Sequence, residues 1–132
     1  MKWLLGYGAT AIVFAALDFV WLTTMGETVY RPALQELMAA EVNYPAAVLF
    51  YVVYIACVVF LAVRPALQAR SLATGFVNGA VLGLCAYATY DLTNMATLKV
   101  WPMHVAALDV GWGTVLTAVA ATAGYLASRR AG

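Results

Sequence analysis

LATGFVNGAVLGLCAYATYDLTNMATL, running from Leu72 to Leu98, is one apolar run that ends in a polar cluster. At about 1.5 Å per residue it is long enough to cross a hydrocarbon core of about 30 Å. Gly75, Gly79 and Gly83 recur at every fourth position, a stripe of small residues that lets a second helix backbone come close. Tyr87 and Asp91 continue the same spacing. The face that packs closely is therefore also the face that carries an acid. Asp91, Thr93, Asn94 and Thr97 are costly at the end of such a run unless they meet protein, water or a ligand.

Working outward, three further apolar runs cover residues 3–25, 45–63 and 103–126. The 132 residues are 65% hydrophobic and only 10% charged, against about 25% charged in a soluble domain. This composition predicts an all-α integral membrane protein, a single four-helix bundle over 1–132. The first run carries Asp18 and is too long for the apolar stretch of a cleavable signal peptide, so it is expected to remain as a helix. Between it and the second run stand Glu27, Arg31, Glu36 and Glu41. Pro32 suits a first helical turn, and Leu34, Leu37 and Met38 share a side, so a short interfacial helix is expected there. Tyr44-Pro45 opens the second run and Arg64-Pro65 is expected to close it. Lys99 to His104, with Trp101 and Pro102, reads as a tight interfacial turn, and Trp3 and Trp101 as belt residues.

Lys2, Arg64, Arg70, Arg129 and Arg130 fall on one side of this topology, and only Arg31 and Lys99 on the other. Both termini are accordingly expected in the cytoplasm, in a multi-pass inner-membrane protein. A net charge of +1 without a basic run excludes nucleic acid as a partner. Cys57 and Cys85 have no CxxC or Cys/His spacing and read as small hydrophobes.

Two segments match across the chain: AALDFVW (Ala15 to Trp21) and AALDVGW (Ala106 to Trp112). In each the tryptophan follows the aspartate by three and shares its helix face. By residue count, Asp18, Asp91 and Asp109 all lie roughly 8 to 11 Å inside the same end of the bundle, and Tyr51 and Tyr54 of the second run reach a similar depth. Three ionised carboxylates at close range repel in low dielectric, so one is expected to be protonated or neutralised by Lys99, His104 or a bound cation.

At these residues the chain resembles an uncharacterised bacterial inner-membrane family, domain of unknown function 2177. The resemblance rests on LDFVWL (Leu17 to Leu22), FYVVY (Phe50 to Tyr54), AYATYDLTNMATL (Ala86 to Leu98), Trp101-Pro102 and LDVGWGT (Leu108 to Thr114). It implies a compact four-helix membrane protein and no particular activity.

Three functions fit the residues. The first is a pocket that binds or transports a cation, a small amphiphile or a lipid headgroup through Asp18, Asp91, Asn94 and Asp109, walled by Trp21, Tyr51, Tyr54, Tyr87, Tyr90 and Trp112; transport would require a homodimer. The second is an enzyme acting on a lipid or isoprenoid, with Asp91, Asp109 and Asp18 as the acid and base candidates; no Ser-His-Asp, HExxH or CxxC pattern accompanies them. The third is an accessory subunit that packs on a larger membrane complex through the glycine face.

Overall fold

The computed structural model describes residues 1–131. Four helices account for nearly all of them: α1 (Lys2–Leu34), α2 (Tyr44–Ala69), α3 (Leu72–Thr97) and α4 (Met103–Ala131), each long and apolar enough to cross a membrane. The chain is a multi-pass helical membrane protein. Neighbouring helices run antiparallel, so one end of the bundle carries both termini and the α2–α3 connection, and the other carries the α1–α2 and α3–α4 connections. They are called below the terminal end and the loop end. Large apolar side chains such as Phe19, Leu49 and Phe60 point outward, as suits a bundle whose solvent is lipid rather than water.

Helix α4 is the spine, and small residues let two partners reach it. A Cβ added to Gly79 would stand 2.8 Å from the Thr117 carbonyl oxygen and 2.9 Å from the Ala121 Cβ, so α3 lies nearly backbone to backbone on α4. Gly83 meets the Gly113 carbonyl in the same way, and Gly113 receives the ring of Tyr87. The glycine stripe of α3 is thus buried against α4, as its four-residue spacing predicts. On the opposite side Gly6 of α1 faces Ser128 and Gly124. Phe14, Tyr54, Ile55, Val58 and Leu116 fill the space between these seams.

Two helices run further than the sequence suggests, for one reason. The pentapeptide Arg-Pro-Ala-Leu-Gln occurs twice, at 31–35 and 64–68. Each copy follows a five-residue π-helical stretch, Gly26–Tyr30 in α1 and Val59–Val63 in α2. In each the arginine N–H bonds five residues back, Arg31 to Gly26 and Arg64 to Val59. Widening by one residue lets the chain pass a proline, which has no N–H and clashes with a tight preceding turn. Helix α2 therefore continues through Pro65 to Ala69 instead of stopping at Arg64. In place of a separate interfacial helix, α1 extends to Leu34, and 35–43 are turn and coil.

Proline leaves one carbonyl to be answered. Pro65 has no N–H for Leu61, four residues earlier; the Asn78 side-chain amide of α3 donates to the Leu61 carbonyl at 3.1 Å. Neighbouring side chains commonly satisfy the backbone that a proline frees within a membrane. Helix α2 then ends on Arg70, whose φ of 53° makes it the sole non-glycine residue in the left-handed region among those described. Glycine usually fills this closing position, and a side chain there costs about 1–2 kcal/mol. Ser71 opens α3 by accepting from the Thr74 N–H at 3.1 Å.

Candidate ligand site

The matched Asp-x-x-Trp segments meet in space. Trp21 and Trp112 stack with centroids 4.5 Å apart and planes 4° from parallel. Their polar edges are exchanged. The Trp112 indole N–H donates to Asp18 Oδ1 at 3.2 Å, so the tryptophan of one segment holds the aspartate of the other. In return Trp21 donates to the Tyr30 hydroxyl at 2.9 Å, and Tyr30 donates to Asp109 Oδ1 at 2.9 Å. The Tyr51 hydroxyl donates to Asp18 Oδ2. Asp18 and Asp109 are both answered by the protein.

Asp91 is not. It is fully buried, and neither carboxyl oxygen has a hydrogen-bond partner. Asp109 and Trp101 are its polar neighbours, yet neither meets it in bonding geometry. The Trp101 indole N–H is likewise buried without a partner. The two residues that carry this orphaned donor and these orphaned acceptors border one cavity of about 440 Å³, bounded also by Tyr30, Leu34 and Asp109, with the Arg31–Glu27 ion pair (3.2 Å) on its rim. A second cavity of about 340 Å³ adjoins it, lined by Asp18, Phe50, Ala86 and Tyr87, and the two share Leu22, Tyr90 and Asp109.

The structure brings Asp18, Trp21, Tyr51, Tyr87, Tyr90, Asp91, Asp109 and Trp112 into this region. Asp109, which borders both cavities, is the common member. Tyr54 instead turns into the core, sharing a 2.8 Å hydrogen bond with Thr117. Asn94 lines neither cavity, and Thr93 and Thr97 are exposed and bond the carbonyls of their own helix one turn back. Lys99 and His104 are exposed, and neither pairs with an aspartate; Arg31–Glu27 is the sole ion pair among the described residues. No group of three or more His, Cys, Asp and Glu side chains among the described residues is placed to hold a metal ion.

Tyr30 and Trp101 are the site residues that sequence reasoning missed. Nine residues separate Trp21 from Tyr30, about two and a half turns of an α-helix, which puts them on opposite faces. The wide π turn changes that phase. The Arg-Pro repeat after Tyr30 was the available signal.

A family model for a predicted membrane protein, domain of unknown function 2177, matches residues 3–126. The chain belongs to this family. The span matched by domain of unknown function 2177 holds all three aspartates, the stacked tryptophans and every residue lining the two cavities. No curated protein and no solved structure matches the chain. For this member of domain of unknown function 2177, the chemistry of the site is accordingly read from its own residues.

Proposed function

We propose that the protein, set in a bacterial inner membrane, binds a small amphiphile or lipid whose polar group presents an ammonium beside an oxygen acceptor, with Asp91 as the contact. The observation that carries this reading is the buried Asp91 carboxyl, without a partner, beside a cavity that is also bordered by Trp101, whose N–H is unpartnered too. A buried carboxyl without a partner is one of the costliest groups a helix can carry, and a donor from outside relieves it. A cation also relieves the mutual repulsion of neighbouring aspartates. Tyr90 and Trp101, in edge-to-face contact at 5.4 Å, offer aromatic surface of the kind that holds ammonium groups. The apolar wall of Leu22, Leu34, Met38 and Val42 suits an alkyl portion.

The test uses two probes of equal chain length, dodecylammonium and dodecyltrimethylammonium. Only the first donates hydrogen bonds. Tryptophan fluorescence of the detergent-solubilised protein is expected to titrate with dodecylammonium and to respond far less to the trimethyl probe. Asp91→Asn should weaken the first by about tenfold or more, the value of a hydrogen bond to a charged group. Equal affinity of wild type and Asp91→Asn rejects the reading.

A further inference from the structure

The terminal end of the bundle holds a separate cavity of about 610 Å³, and its character is the reverse of the loop end. Lys2, Arg70, Arg129 and Arg130 line it, four of the chain's seven Lys and Arg residues, and no acid does. They arrive from three parts of the chain: the start of α1, the α2–α3 connection and the end of α4. Like charges gathered around one space repel, and no acidic side chain among the described residues lines it.

An ordinary scatter of interfacial cations does not need this arrangement. Arg64 shows the ordinary case. It lies at the same end, 5.1 Å over the Phe60 ring, and is the sole charged residue of a different surface hollow. Lys2 lies 5.3 Å over the Trp3 ring in a like manner, and what sets the cavity apart is that its cations share one space and that two of the chain segments bearing them are fixed there. Arg70 sits in left-handed backbone where glycine would be relaxed, so the fold tolerates strain to keep a guanidinium at that point. Arg129 lies 5.7 Å over the buried Tyr125 ring. Ser128, itself fully buried, donates to the Lys2 carbonyl at 3.1 Å and fixes the start of α1 against the end of α4.

We propose that this cavity binds a doubly charged phosphate group, as borne by a phosphomonoester lipid headgroup or by a soluble phosphate. Two or more guanidinium forks match phosphate oxygens in geometry and in charge. Four cations with no acidic side chain among the described lining residues favour a dianion over the single charge of a phosphodiester.

The test is binding of phosphatidic acid, phosphatidylcholine and inorganic phosphate to the full chain in neutral detergent, read by native mass spectrometry and thermal shift. Arg70→Gly is the informative variant, because it removes the guanidinium and relaxes the backbone together. It should raise the unfolding temperature without lipid and yet lose phosphatidic acid binding by about tenfold. Arg130→Gln should lose binding too, and Arg64→Gln should change it less than about twofold, as expected of a screened surface charge. Tight phosphatidic acid binding with weak inorganic phosphate assigns a lipid; comparable binding of both assigns a soluble phosphate. Binding no tighter than that of phosphatidylcholine, or weakened as much by Arg64→Gln as by Arg70→Gly, overturns the proposal.

Discussion

Trp21 and Trp112 lie face to face at 4.5 Å, and each serves the aspartate of the other's segment, Trp112 directly and Trp21 through Tyr30. The stack is the point at which α1 and α4 are registered at the loop end. Trp112→Phe keeps an aromatic face and removes the N–H that Asp18 receives. It should lower stability by about 1.5–3 kcal/mol, the range for a hydrogen bond to a charged group. A double-mutant cycle of Trp21→Leu and Trp112→Leu should give a coupling of about 0.5–1.5 kcal/mol. Coupling near zero in reversible unfolding would show that the stack does not register the helices.

The aspartates should respond with opposite signs. Asp18 accepts from Tyr51 and Trp112, so Asp18→Leu strands two donors and should destabilise by about 2 kcal/mol or more. Asp91 accepts from nothing, so Asp91→Leu should leave the unfolding temperature of the ligand-free protein unchanged or raise it. Natural sites commonly hold function at a cost in stability. A large loss on Asp91→Leu would mean that the carboxyl has a partner in the folded protein.

Glycine positions separate in the same manner. Gly79→Ala places a methyl 2.8 Å from the Thr117 carbonyl and must push α3 off α4. Gly111 meets nothing within 4 Å of an added Cβ, so Gly111→Ala should stabilise by up to about 1 kcal/mol through helix propensity alone. Thermal unfolding of the two variants should move in opposite directions.

Asn78 and Pro65 are linked through the Leu61 carbonyl. Asn78→Leu removes that carbonyl's donor and should destabilise by about 1 kcal/mol. Pro65→Ala restores a backbone N–H and should recover most of the loss. Additive effects of the two substitutions would break the link.

Much of this arrangement was readable from the chain. The spacing of Gly75, Gly79 and Gly83 led to a buried seam because a glycine repeat in a helix has few uses besides close approach. Asp18, Asp91 and Asp109 reached the same region because depth follows from residue count in straight helices. What the spacing could not give was phase across a π turn, and it failed at that point: Tyr30 entered the site, and α2 continued past Pro65. Nor does spacing tell which polar groups answer one another. Thr93 and Asn94 stand within a turn of Asp91, yet Thr93 bonds its own helix and Asn94 lines neither cavity.

Pro65 and Asn78 also bear on how the bundle is assembled. Helix α2 alone would carry into lipid a carbonyl that its own proline cannot answer, while α3 alone would carry an unpaired amide. Each deficit is the other's remedy, and only Arg70 and Ser71 separate the two helices. The smallest unit that can leave the insertion machinery with this pair of groups satisfied is thus the α2–α3 hairpin. The expected order of entry is this hairpin as one piece, with α4 closing onto its glycine face afterwards.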